Sequence, residues 1–241
     1  MDFRQTTILD LTQQVQTGQT SCKALVTAAL QNIHRLDPVI NAFCAVDEAR
    51  ALDEAAKIDQ RLAAGEHLPL AGIPFGVKDL EDAQGYITTF GSAFHTEDAP
   101  ALEDSELVRR LRAAGAIVVG KTNTPEFGYK GKTDNVPFGV TKNPWDLTRT
   151  PGGSSGGSSA ALAAGMVPLA TGSDGGGSIR IPAALCGLSG IKTSQGRVPN
   201  GGPKPTGSGL LTVKGPMTRR IRDAAFVLDQ CIGAEPTDIF S

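Results

Sequence analysis

Apolar residues recur every three to four positions through much of the first 65 residues, which predicts helices there. Leu25, Val26, Ala29, Leu30 and Ile33 share one face of a helix that Ser21 can cap, with Asp37 and Pro38 as its expected stop. A short apolar piece over 42–46 precedes a second helix over about 47–64, ended by Gly65. The periodicity then changes. IPFGVK, residues 73–78, reads as a strand, and residues 104–114 as an amphipathic helix closed by Gly115. The β-branched run 116–119 follows as another strand, and the same helix–glycine–strand order returns over 155–171. The expected fold is α/β: a mixed β-sheet covered by helices, in one domain with an N-terminal helical segment (1–65) and a core (66–241). Residues 190–215 read as loop. A last helix over about 219–232 puts Ile221, Ala224, Ala225 and Leu228 on one face, with Gly233 beyond it. The tail, 234–241, stops where a further element would begin, so the fold is expected to be incomplete at its C-terminus.

Composition narrows the class without naming a function. With 40% hydrophobic and 20% charged residues over 241 positions, the chain can bury a substantial core and is too apolar for disorder. A net charge of −2 with no basic stripe gives no reason to expect nucleic acid or an anionic membrane surface as a partner. No run of 18 apolar residues and no leading apolar segment occur, so neither a spanning helix nor a secretory signal is expected, and the cytoplasm is the expected location. Cys22, Cys44, Cys186 and Cys231 lie far apart without CxxC spacing; they read as reduced, mostly buried thiols, not as a zinc site or a disulfide framework.

Candidate chemistry concentrates in residues 150–182, TPGGSSGGSSAALAAGMVPLATGSDGGGSIRIP. Two glycine–serine clusters flank small and apolar residues that want burial, which argues against a flexible linker. Backbone N–H groups converging on one point can hold an oxyanion, and a neighbouring hydroxyl can be a nucleophile. Physics weighs against two other motif matches. Gly115 to Thr122 fits the phosphate-loop pattern, but Ile117, Val118 and Val119 are stiff strand formers and a helix precedes them where a strand is needed. Ser154 and Ser155 each fit a GxSxG esterase elbow. That arrangement needs a later histidine, whereas His34, His67 and His95 all lie upstream and read as surface or capping residues, so the elbow reading survives only if a further C-terminal segment supplies one. Lys78, at the end of an apolar strand, can hold its amine desolvated and so serve as a general base for a serine. Its simpler reading is an ion pair with the adjacent Asp79.

Four blocks, GIPFGVKDL (72–80), GKTNTPEFG (120–128), NPWDLTRTPGGSSGGSSAALAAG (143–165) and GSDGGGSIRIPAALCGLSGIK (172–192), together resemble the amidase signature family. The resemblance implies a hydrolase of carboxamide bonds with a serine–cis-serine–lysine triad and neither metal nor cofactor. Lys78 matches the family's lysine, Ser178 its nucleophile, and Ser154 the bridging serine in a peptide bond that family members hold cis. Ser155 matches an accompanying serine that supports the network. The expected mechanism has neutral Lys78 take a proton from Ser154, and Ser154 one from Ser178. Ser178 attacks the amide of a small molecule to form an acyl-enzyme. The N–H groups of Gly175, Gly176, Gly177 and Ser178 hold the oxyanion. A helix starting near Pro182 adds positive potential at the site. Asp174 and Arg180 are expected to pair and fix the glycine loop. Residues 123–127 and Thr150 are expected at the entrance.

Two alternatives stay open. One is the glutaminase component of a tRNA-dependent amidotransferase, although that component usually carries Thr where Gly175 stands. The other is an inactive fragment or non-catalytic partner chain, because family members are roughly twice this long. Alone, the chain is expected to expose apolar surface, and to pair with itself or with a chain that supplies the remaining half.

Overall fold

Residues whose side chains are apolar on both faces of a strand must be covered on both faces, and this decides the architecture. The computed structural model describes residues 1–201 and 211–241. Two N-terminal helices, α1 (Ile8–Gln16) and α2 (Cys22–Ile40), lead into β1 (Phe43–Val46) and α3 (Glu48–Ala63). The fully buried strands β2 (Pro74–Lys78) and β3 (Ile117–Thr122) follow, joined across α4 (Glu106–Ala113). A small hairpin, β4 (Asp134–Asn135) with β5 (Gly139–Val140), precedes α5 (Gly156–Ala164) and β6 (Leu169–Asp174). The described chain closes with α6 (Arg180–Cys186), β7 (Ser189–Gly190), β8 (Val213–Thr218) and α7 (Ile221–Asp229).

The main sheet has the order β1-β3-β2-β6-β8-β7. β2 runs parallel to both β3 and β6, while β1, β8 and β7 add antiparallel pairings at the two sides. Helices flank this mixed sheet, as expected. α5 is built almost wholly from Gly, Ser and Ala, is buried along its length, and contacts β2, β3, β6 and β8. Small side chains let it approach closely: a Cβ on Gly157 would come within 2.3 Å of the Asn123 nitrogen.

Several boundaries depart from expectation. Ser21 does cap α2, accepting from the Ala24 N–H at 3.1 Å, but the helix runs through Pro38 to Ile40. Its end is fixed instead by Asn41 in the left-handed region, whose N–H reaches the Asp37 carbonyl at 2.7 Å. The stretch expected as loop, 190–215, contains the start of β8, whose pairing with β6 from Thr218↔Leu169 to Val213↔Asp174 supplies the order that local sequence did not suggest. Residues 202–210 of that stretch lie outside the described residues. α6 begins two residues before Pro182, and α7 is shorter at both ends than the expected 219–232. The phosphate-loop match falls where its β-branched run predicts a strand: residues 117–122 are β3, extended and buried.

Candidate active site

Parallel neighbours end on the same side of a sheet, and that edge is where α/β proteins open a crevice. β2 ends at Lys78, β6 at Asp174, and β3 at Thr122, which is paired with Lys78. The N-terminus of α5 brings residues 154–156 to the same edge. Lys78 is fully buried, with its backbone N–H on Thr171 Oγ1 at 2.9 Å. Its Nζ lies 2.7 Å from Ser154 Oγ and 2.9 Å from Ser173 Oγ. Burial drives the Lys78 amine down from 10.5 to about 7, against the opposing pull of the Glu81 and Asp174 carboxylates.

The expected ion pair between Lys78 and Asp79 is not formed. Asp79 faces Lys121 instead, at 2.9 Å, and both side chains are buried. Asp79 also accepts from the Thr89 hydroxyl and the Thr89 N–H, while Lys121 reaches Thr88 Oγ1 at 2.9 Å. Successive residues of an extended chain point to opposite sides, so adjacency in sequence separates Lys78 from Asp79.

Ser154 follows a cis peptide bond at Gly153–Ser154. Its carbonyl accepts from Thr124 Oγ1 at 3.1 Å. The Ser155 N–H donates to the Ser178 carbonyl at 3.2 Å, and Ser155 Oγ accepts from the Ser173 N–H at 3.4 Å. The two serine clusters, 24 residues apart, are thereby joined. Ser154, Ser173 and Ser178 line one open cavity of about 1250 Å³. The Ser178 hydroxyl makes no hydrogen bond to Ser154 among those of the described residues, so the hydrogen-bonded chain from Lys78 reaches only as far as Ser154.

The glycine loop is held by Asp174. Its buried carboxylate accepts from the Gly177, Ile179 and Arg180 N–H groups at 2.6, 3.2 and 3.3 Å. Arg180 adds a two-pronged pair at 2.8 and 3.0 Å from a side chain that is 53% exposed. Burial pushes the Asp174 carboxyl up, but the guanidinium and the three N–H donors outweigh it and bring it to about 2. One expectation is corrected here: the Gly177 N–H is committed to Asp174 and is not free for an oxyanion. Among the described residues, the N–H groups of Gly175, Gly176 and Ser178 have no such partner.

Of the residues expected at the entrance, Phe127 lines the cavity. Asn123 is buried and hydrogen-bonded to Thr141 and Asn135, and Thr150 lies elsewhere, on Gly152 and Asn143. Ser173 was not anticipated, although two hydroxyl residues at alternate positions of a wholly buried strand, Thr171 and Ser173, are a usable signal. Glu81 and its partner Lys214, 2.8 Å apart, also face the cavity. None of the histidines is hydrogen-bonded to Lys78, Ser154 or Ser178; His34 and His95 pair with Glu48 and Asp98. Among the described residues, no group of three or more His, Cys, Asp or Glu side chains could hold a metal ion.

Fold and site together define a class: an α/β protein with a buried lysine–serine contact under an open cavity at the strands' carboxyl edge. A family model described as Amidase matches residues 24–240, and the chain belongs to that family, the amidase signature proteins. It is 50% identical over 212 residues to the protein named AmiB2 from Mycobacterium tuberculosis, covering 88% of this chain and 45% of that one. It is 45% identical over 234 residues to a glutamyl-tRNA(Gln) amidotransferase chain of Roseiflexus castenholzii, covering 97% of this chain and 47% of that one. Among solved structures, a bacterial aryl acylamidase matches with a TM-score of 0.92 at 35% identity, over 98% of this chain and 49% of that one. The native peptide amidase of Stenotrophomonas maltophilia matches with a TM-score of 0.86 at 35% identity, over 98% and 50%. The chain spans about half the length of the relatives it matches.

Proposed function

We propose that this chain carries the reaction centre of an amide hydrolase that cleaves the C–N bond of linear carboxamides through an acyl-enzyme. The observation that carries the reading is the contact of a buried lysine amine, lowered to about 7, with a serine hydroxyl 2.7 Å away. Neutral Lys78 takes the Ser154 proton while Ser154 takes that of Ser178. Ser178 Oγ attacks the amide carbon, and the N–H groups of Gly175, Gly176 and Ser178 receive the oxyanion. Ser154 returns the proton to the departing amine, and water then attacks the ester carbonyl to release the acid. Closing the relay requires the Ser178 hydroxyl, which lines the same cavity, to come within hydrogen-bond distance of Ser154 Oγ.

The chain acts in this reading as one domain on a small-molecule amide, with the remaining length found in its relatives completing the cavity wall. Similarity to an amidotransferase chain favours one second reading, in which the amide is glutamine and ammonia passes to a partner chain. Four free cysteines support a reducing compartment, the cytoplasm.

The test is the pH dependence of amide cleavage. The base works unprotonated, so kcat/KM should rise with pH and reach half its plateau near pH 7. Ser178→Ala should remove the activity at every pH. A rate that is flat from about pH 5.5 to 9, or that survives in Ser178→Ala, contradicts the reading.

A further inference from the structure

We propose that Phe90 and Phe127 form a preset aromatic wall that selects amides bearing a flat, apolar ring. The proposal rests on the amide-hydrolase reading of the same cavity and adds the substrate class. Both residues line the cavity that holds Ser154 and Ser178. The wall stands beside the reacting groups: a Cβ on Gly128, the residue after Phe127, would lie 3.3 Å from Ser154 Oγ. The two rings stack with centroids 6.2 Å apart and planes 24° off parallel, and the His95 ring meets them edge-on at 5.4 and 6.0 Å.

The backbone argues that this placement is not incidental. Phe90 has φ +55° and Phe127 φ +50°, a region that aromatic side chains rarely adopt and that costs energy. Burial does not offset that cost, because Phe127 is 47% exposed. The surroundings impose it instead. The Phe127 N–H donates to the Phe90 carbonyl at 2.8 Å, and the Phe90 N–H to the Asp79 carbonyl at 3.1 Å. Asp79 is locked in turn by the buried Lys121. Gly91, at φ +65°, lets the same loop pack where any Cβ would come within 2.6 Å of the Thr124 carbonyl. Two loops are thus tied together so that the half-exposed Phe127 ring and the partly buried Phe90 ring face an open cavity. A ring of that kind recognises another aromatic ring by offset or edge-on contact, with a preference that a saturated ring of equal size cannot share.

The experiment compares ring pairs on the Ser178→Ala chain, where no turnover occurs, by ligand-observed NMR titration. Benzamide is set against cyclohexanecarboxamide, and acetanilide against N-cyclohexylacetamide. At least one aryl member should bind about fivefold tighter than its saturated counterpart. The pair showing the preference identifies which side of the amide faces the wall. Adding Phe127→Ala should erase the preference. So should Phe127→Gly, which adopts the left-handed backbone without strain and keeps the fold. Equal affinities within both pairs, or a preference that survives Phe127→Gly, overturn the proposal. Turnover by the wild-type chain reports separately: cleavage without ring preference refutes the wall alone, and ring preference without cleavage refutes the hydrolase reading alone.

Discussion

Lys78→Met should lower kcat/KM for amide cleavage by about 10⁴-fold while making the folded protein less sensitive to pH. The first effect follows from removing the only lysine amine in contact with Ser154 among the described residues. The second follows from linkage. In the fold, burial lowers the amine from 10.5 to about 7, so between these values the unfolded chain binds one more proton than the folded one. Stability contributed by this group therefore rises as pH goes from about 7 to 10.5 and is lowest below that window. At roughly 1.4 kcal/mol per pH unit, the full span is on the order of 5 kcal/mol. Urea unfolding at about pH 6 and about pH 10 should show that rise in the wild type and a much smaller one in Lys78→Met. Equal pH dependence in the two proteins would mean that the amine is charged in the fold.

Asp174→Ala should be the most damaging change outside the proposed relay. The carboxylate is fully buried and collects three backbone N–H donors as well as Arg180. Removing it leaves buried donors unmet, at a cost of about 3 kcal/mol. It also frees the glycine loop, whose N–H groups receive the oxyanion in the proposed mechanism, for a further loss of about 10²-fold in kcat. Arg180→Ala should cost far less, because the guanidinium is solvent-exposed and the three N–H donors remain on Asp174. The pH sign is opposite to that of Lys78. With a folded value of about 2 against an ordinary 3.8, the stabilisation from Asp174 is complete above about pH 4 and is lost as pH falls toward 2. Parallel denaturant curves and initial rates on the two variants check this ordering, and equal losses in both would refute it.

The residues that carry the proposed chemistry were legible in the sequence chiefly through the family resemblance of the blocks around them, since local signals alone left Lys78 with the simpler reading of an ion pair. Lys78 stands at the end of an apolar run, and Ser154 and Ser178 stand in glycine-rich segments whose small residues mark close backbone approach. Ser21, Gly65, Gly115 and Gly165 likewise announce the helix ends that the structure contains. What escaped depends on partners distant in sequence. β8 exists because β6 offers it a full antiparallel register, and its own residues, VKGPMT, do not ask for a strand. Lys121 finds Asp79 across neighbouring strands, a pairing that register decides. Pro38 ends nothing, since the helix has only two residues left to make beyond it. The positive φ values of Phe90 and Phe127 have no sequence signature at all: residues that disfavour that region occupy it, held by contacts from elsewhere.

With a midpoint near 7, about half of the amine at position 78 is unprotonated at neutral pH and can draw a proton from the serine it touches; a fully charged amine would leave the proposed chemistry without a base. Titrating the 13Cε and 15Nζ resonances of Lys78 in the intact chain measures this directly. A midpoint near 7 is predicted, and a midpoint near 10.5, the value of a lysine in water, would contradict the account.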